Sequence, residues 1–262
     1  MQRASFFYDD KAIFGCHPTQ ESAEELENFG VRYFYDLTCP HESRITPYRT
    51  DFSYEKYPII DREAPTDLVS FSSFIVSIAD TIRNLELGEK IYVHCKGGHG
   101  RAGVTVACLL AYMDNLSAVQ ALRATAKYHD DRPEMTVRMR KIGSPQTRVQ
   151  KEFVKEFLRP LMFTGFESWL SMCDKSYPML YKDVGYACAK EALQHHPGRL
   201  KVILKTLLDQ HPALQDLLRE TGLRPLVYIS RQDSLLGDRG DGSGQNALGL
   251  IWTRLRDDLH RY

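Results

Sequence analysis

No run in this 262-residue sequence is apolar for the ~20 residues that a helix needs to cross a bilayer; the longest, Ala102 to Met113, is about half that length. Charge of one sign is not in excess either. Thirty-four Lys and Arg balance thirty-four Asp and Glu, which argues against a general nucleic-acid coat or a basic membrane binder, since both need a large positive surplus. Any preference for anions must therefore come from a local site. The six cysteines (Cys16, Cys39, Cys95, Cys108, Cys173, Cys188) form no Cys-x-x-Cys pair. Their scatter supports neither a metal site nor a disulfide framework, and reduced thiols in a cytosol are expected. The opening residues turn acidic at Asp9 and Asp10 before the apolar core of a signal peptide can form, so a soluble, non-secreted, cytoplasmic protein is expected. No repeat or low-complexity segment is present.

What remains is an ordinary globular composition, 43% hydrophobic and 26% charged, which rules out disorder and collagen-like structure. The length allows one large domain or two modest ones. Over the first 160 residues, strand and helix signals alternate. Ala12 to Cys16 reads as a strand closed by His17-Pro18, and Thr19 to Phe29 as an acidic helix stopped by Gly30. Val31 to Leu37 reads as a strand, and Tyr57 to Ile60 as another short one. Apolar residues at helical spacing from Phe71 to Leu87 predict a helix capped by Gly88. Ile91 to Val93 is a buried strand, and a helix is expected from Arg101 to about Met113. Helices on both faces of a mostly parallel sheet is the natural assembly, an α/β fold. Beyond a boundary placed near 158–166, Leu200 to Leu208 and Leu214 to Leu218 mark helices broken at Pro212, Leu226 to Ile229 reads as a strand, and Leu248 to Leu259 as a helix with Asn246 as its N-cap.

The informative segment is Val93-His94-Cys95-Lys96-Gly97-Gly98-His99-Gly100-Arg101-Ala102-Gly103. A strand runs into a glycine-rich turn, and a helix starts behind it. Consecutive backbone N–H groups and the positive end of the helix then aim at one point, a ready anion site. Those donors stabilise a thiolate at the opening of the turn. Arg101 can fold back and hold two phosphate oxygens in a bidentate fork. Gly97, Gly98 and Gly100 allow the close backbone approach of a tight cradle.

His-Cys, five residues and then Arg resembles the signature loop of the cysteine-dependent tyrosine and dual-specificity phosphatases, over roughly residues 5–158. The resemblance implies that Cys95 attacks phosphorus and that Arg101 holds the phosphoryl oxygens, with Lys96, Gly97, Gly98, His99, Gly100 and Ala102 lining the substrate site. Tyr57 to Pro65 looks like that family's general-acid loop and implies Asp61 as proton donor; Glu63 and Asp67 are weaker candidates. Pro145 to Phe153 resembles the family's glutamine loop, which implies Gln146 as the group that places the hydrolytic water, with Gln150 second. The family usually has Ser or Thr directly after the arginine, and Ala102 removes that hydroxyl; Thr105 is too far along the helix to replace it. No cofactor or metal is implied.

The partner implied is a phosphorylated protein or another acidic phosphorylated substrate. Lys96 and His99 in the loop, and ten Lys and Arg against five Asp and Glu over residues 121–160, point to an acidic substrate: an inositol lipid, an RNA 5′-phosphate end or an acidic phosphopeptide. No nucleic-acid recognition module is evident. The sequence leaves two alternatives open: a phosphate-binding pseudophosphatase, or an N-glycosidase or ADP-ribose-related binding activity in the C-terminal domain.

From about Tyr177 onward the chain is reminiscent of the NADAR domain, through Asp183 to Lys190, Leu217 to Gly222, Asp233 to Gly237 and Gly244 to Gly249. That likeness implies a ribosyl-binding or N-glycosidase site on Asp183, Lys190 and Asp233, although Asp183 stands where a Glu is expected and Leu236 where a Trp is. The expectation is thus a phosphatase domain over 1–160 with a mostly parallel sheet flanked by helices, then a smaller, mostly helical α+β domain over 161–262.

Overall fold

The computed structural model describes residues 3–163, 197–231 and 233–261. The chain divides into two units, 1–158 and 159–262, each with its own core.

In the first unit, strands β1 (Ala4–Tyr8), β2 (Ala12–Cys16), β3 (Val31–Asp36), β4 (Ser53–Lys56) and β5 (Lys90–Cys95) form one sheet in the order β1-β2-β5-β3-β4. Only the β1–β2 pair is antiparallel. The central β5 is buried at every position, as a strand covered on both faces must be. Alternation sorts its neighbours. On one face Leu26 of helix α1 (Gln20–Asn28) clusters with Ile13, Phe34 and Tyr92. On the other, the Tyr35 hydroxyl donates to Thr81 and its ring packs edge-on to Phe74, both on α2 (Leu68–Asn84). Helix α3 (Arg101–Asp114) packs with α2, and α4 (Ala118–Asp130) and α6 (Arg148–Phe157) pack with α3; α5 (Val137–Ile142) has no buried residue. The expected α/β architecture is therefore present.

The differences have local causes. The strand expected at Tyr57–Ile60 lies one step earlier, at Ser53–Lys56, an exposed edge strand whose backbone pairs with β3. Pro58 has no N–H to give a ladder, and Tyr57–Ile60 instead runs as an irregular segment that buries Ile59 and stacks Tyr57 on Phe74 at 4.5 Å. Helix α2 starts at Leu68, where the Asp67 carboxylate caps Val69 and Ser70 N–H, and ends at Asn84. Gly88, at φ +88°, belongs to the following turn and does not cap the helix. The β1 strand was not legible: its five residues show no clean apolar–polar alternation.

In the second unit, β6 (Leu161–Phe163) and β7 (Leu226–Tyr228) pair in parallel. Helices α7 (Pro197–Gln210), α8 (Pro212–Glu220) and α9 (Ala247–His260) enclose a core that includes Leu204, Leu207, Leu218, Leu236, Trp252 and Leu255. Asn246 precedes α9 but does not cap it with its side chain; it sits at φ +48°. Its amide faces the strand, with Oδ1 accepting from Tyr228 N–H at 2.9 Å and Nδ2 donating to the Leu226 carbonyl at 2.8 Å. Replacing Asn246 with Gly keeps the left-handed backbone accessible and removes both bonds. At about 0.5–1.5 kcal/mol net per bond, the expected loss is ~1–3 kcal/mol in the denaturant-unfolding transition of this unit.

Candidate active site

Strand β5 delivers Cys95, buried, at its C-terminal end, the end of a parallel sheet outside which ligands bind. The loop behind it is organised through its carbonyls. Lys96 O accepts from His17 N–H (3.2 Å) and Gly100 O from Val104 N–H (3.0 Å). Gly98 O accepts from the Arg132 guanidinium (2.9 Å), and His99 O from the Ser144 hydroxyl (2.7 Å). With these carbonyls engaged outward, the peptide N–H groups from Gly97 to Arg101 face the other way, and among the described residues none of them donates a hydrogen bond. Gly100 caps α3 without any side chain. Orphan donors at a helix N-terminus next to a cysteine form an anion cradle. Gly98, at φ +74°, lies against the Gly15 and Cys16 backbone, where a Cβ has no room.

Arg101 is 1% exposed. Its guanidinium makes a two-pronged pair with Glu42, Nη1 to Oε2 and Nη2 to Oε1, both 2.8 Å. Nη1 also donates to the Ile59 and Leu37 carbonyls, at 2.9 and 3.3 Å, and Nη2 to Asp61 Oδ1 at 3.0 Å. Burial alone disfavours the cation, but the bonds to Glu42, with Cys95 and Asp61 nearby, outweigh it and hold the guanidinium charged. Those same bonds hold the Glu42 carboxyl below its usual range. The Nε–H has no partner among the described hydrogen bonds.

Asp61 is half-exposed, on a turn tied down from α6: Thr147 Oγ1 donates to Arg62 O, and Gln150 Nε2 to Glu63 O, each 3.0 Å. Gln150 is fully buried against Gly100, so this one amide links the Asp61 turn to the cysteine loop. Gln146 is half-buried just before α6. Ala102 and Thr105 are both buried, and the Thr105 hydroxyl bonds the Arg101 carbonyl one turn back. Glu63 is exposed, and Asp67 is the α2 cap already described.

Lys96 and His99 sit half-buried in the loop. His99 Nδ1 lies 2.7 Å from Nε2 of the buried His129 on α4. Burial pushes both imidazoles down to about 4, helped for His99 by His129 and for His129 by Arg132. Arg132 is itself buried, its guanidinium 4.3 Å from the Phe14 ring centroid; burial lowers it to about 10.

Glu42, Arg132, His129 and Thr147 were missed by sequence reasoning. Glu42 lies in a polar stretch without periodicity or motif, and the other three act only through tertiary contact. Of the candidates in the second unit, Asp183 and Lys190 lie outside the described residues. Asp233 is buried, and its Oδ1 accepts from Leu235 and Leu236 N–H, closing its own turn.

A cysteine at the end of a parallel strand, a loop of N–H groups without partners among the described residues and a buried arginine together form an arrangement that can hold an anion. Comparison with known proteins places it further. The family model described as "Swiss Army Knife protein, DSP-PTPase phosphatase domain" matches residues 12–154, and the chain belongs to this family of tyrosine and dual-specificity phosphatases. It is 32% identical to "Putative tyrosine phosphatase 197R" of Invertebrate iridescent virus 6, over 96% of this chain and 90% of the relative. It is 38% identical to "Putative tyrosine phosphatase 067L" of Invertebrate iridescent virus 3, over 90% of this chain and 98% of the relative. Among solved structures, that of Tk-PTP in its active form aligns with 59% of this chain and 95% of its own, at 25% identity and a TM-score of 0.47. By the family match and the two viral relatives, the enzyme is a protein-tyrosine or dual-specificity phosphatase. Among the described residues, no helix is long and apolar enough to cross a membrane.

The histidine pair carries a pH signature. Both rings are neutral in the folded protein down to about pH 4, whereas an unfolded histidine titrates near 6.5. The unfolded chain therefore takes up more protons as pH falls from about 6.5 to 4, and stability falls with it. Each such group contributes up to ~1.4 kcal/mol per pH unit within that window. Chemical denaturation at stepped pH values checks this: His129→Gln should make the acid loss visibly shallower without reversing it.

Proposed function

We propose that this phosphatase works through a phosphocysteine intermediate. The Cys95 thiolate attacks phosphorus and the bond to the leaving oxygen breaks. Asp61 gives its proton to that oxygen. Water, oriented by Gln146, then attacks the phosphocysteine; the S–P bond breaks, its electrons return to Cys95, and the water's proton goes to Asp61. Gly97 to Gly100 and Ala102 line the cradle with Lys96, while the His99 ring is held against His129. No metal or cofactor takes part in these steps.

The observation that carries this reading is the division of labour on Arg101. Glu42 holds the Nη1–Nη2 edge of the guanidinium, which leaves Nε–H and the Nη2 proton shared with Asp61 as a second, bidentate edge for a phosphate. An incoming phosphate displaces Asp61 from Nη2 and frees it for the leaving group. Binding and readiness of the acid are thereby coupled. Glu42 acts as a positioning residue, because it touches the arginine and not the substrate.

An acidic substrate fits the surroundings. Arg138, Arg140 and Lys141 on α5 are exposed, and the segment that follows α5 touches the loop through Ser144. A phosphorylated protein or another acidic phosphorylated compound is the substrate class; both viral relatives carry the name "Putative tyrosine phosphatase". The NADAR-like likeness of the second unit stays outside this account, since Asp233 spends its Oδ1 on its own turn.

Two experiments test the reading. Cys95→Ser should abolish hydrolysis of an aryl phosphate while inorganic phosphate still binds, because the amides and Arg101 remain. In the same assay Asp61→Ala should lower kcat by ~10²–10⁴ for poor leaving groups and far less for good ones; equal losses would remove Asp61 from the acid's role.

Ala102 makes a second, separable prediction. A hydroxyl in that position would donate to the departing Cys95 sulfur, and one hydrogen bond to a charged group is worth ~1.5–3 kcal/mol, or about ten- to a hundredfold in rate. Formation of the intermediate does not use that bond. Stopped-flow measurements should therefore show a burst of leaving group followed by slow turnover, and Ala102→Ser should speed the slow phase while leaving the burst alone. A native protein without a burst, whose turnover Ala102→Ser does not change, contradicts this.

A further inference from the structure

Three adjacent parallel strands, β2, β5 and β3, end side by side, and each brings a metal-ligating side chain to the same point: His17 just past β2, His94 on β5 and Asp36 at the end of β3. One ligand atom from each lies within 4.8 Å of the others. His94 is fully buried, and its Nδ1 has no hydrogen-bond partner. A buried polar atom left unmatched is costly. Asp36 Oδ1 stands 3.6 Å from it, too long for a hydrogen bond but close to the ~3.4 Å that separates two ligand atoms on a tetrahedral ion with bonds of about 2.0–2.1 Å.

Hydrogen bonds orient all three residues, and Asp36 Oδ1 keeps a second lone pair for an ion beside the one it gives to Thr38. His17 Nδ1 is 3.0 Å from the Pro18 carbonyl, which makes it the protonated nitrogen and leaves the Nε2 lone pair free. His94 Nε2 meets the Tyr48 hydroxyl at 2.7 Å; an ion on Nδ1 selects the tautomer in which Nε2–H donates to that hydroxyl. Asp36 Oδ2 accepts from the Tyr54 hydroxyl at 2.6 Å, and Oδ1 from Thr38 N–H at 2.8 Å. Such outer contacts fix the tautomer and direction of metal ligands.

We propose that His17, His94 and Asp36 form a binding site for a first-row divalent transition-metal ion of the zinc class. Two imidazoles and one carboxylate are the donor set that suits these ions. His94 and Asp36 are in place, and His17, half-buried, closes on the ion from the accessible side. The remaining coordination positions go to water. The site lies on the sheet face that carries Tyr92 and Phe34, opposite the face of Cys95, and takes no part in the phosphoryl chemistry. Occupation ties together the strand ends that carry the cysteine loop. Two cations oppose the ion: Lys56, whose Nζ lies 3.5 Å from Asp36 Oδ2, and Arg101, whose charge also acts on His94.

The test uses the full chain with Cys95→Ser, so that the nucleophile cannot capture the ion, stripped of metal and titrated with Co²⁺ and Zn²⁺. Calorimetry should give one equivalent, and Co²⁺ should show d–d bands without the thiolate charge-transfer band that a cysteine ligand produces. Saturation should raise the melting temperature. Adding His17→Ala should weaken binding by ~100-fold or more, since loss of outer contacts alone costs 10- to 100-fold, and should abolish the thermal shift while leaving the metal-free melting temperature within a few degrees. Lys56→Met should tighten binding several-fold, a gain that misfolding cannot mimic. Absence of stoichiometric binding, equal affinity in the His17→Ala protein, or a thiolate charge-transfer band assigning the ion to a cysteine would each overturn the proposal.

Discussion

The ion pair between Arg101 and Glu42 is the constraint on which the phosphatase unit is arranged. A guanidinium that is 1% exposed cannot stand without partners, because an unpaired buried charge costs several kcal/mol. Its partners come from places far apart in the chain: Glu42 and the Leu37 carbonyl from the segment after β3, and the Ile59 carbonyl and Asp61 from the segment after β4. One side chain at the start of α3 therefore fixes two loops that have little regular structure of their own. The geometry of the site then follows from satisfying one buried cation.

The cysteine loop obeys the complementary rule. Its carbonyls are claimed from outside by His17, Arg132, Ser144 and the first turn of α3, so its N–H groups have one direction left to face. Arg132 contributes a buried positive charge behind the loop, over the ring of Phe14. On the proposed reading, an anion in the cradle meets peptide dipoles, a helix N-terminus and Arg101, with the charge of Arg132 behind the loop. In a chain with no net charge, the positive potential that the proposed phosphoryl site uses is local.

Much of the fold was legible because it is written in local pattern: the β-branched and aromatic run of β3, the helical spacing in α2, and the strand–glycine–helix succession around Cys95. Errors fell where local pattern and tertiary pairing disagree. The apolar run Tyr57–Ile60 looks more like a strand than Ser53–Lys56 does, yet Pro58 and the stacking of Tyr57 on Phe74 give the pairing to the polar segment. Asn246 reads as a helix cap from its place in the sequence, but its amide is worth more to the backbone of β7. Within the site, Cys95 and Arg101 share one short motif and could be found together. Glu42 and His129 are ordinary polar residues until the chain brings them within 3 Å of Arg101 and His99, and no spacing along the sequence carries that information. Gln146 and Gln150 look alike in sequence; only burial shows that Gln150 is the strut between Gly100 and Glu63.

The central chemical claim is that the phosphoryl group passes through Cys95. Acid quenching of the enzyme during turnover of a good aryl phosphate, followed by mass spectrometry of its peptides, tests this most directly. The account predicts that the peptide containing Cys95 gains the mass of one phosphoryl group, and that Ala102→Ser, by hastening hydrolysis, lowers its steady-state amount. Unmodified Cys95 under continuous turnover, or a phosphoryl group on any other residue, would contradict it.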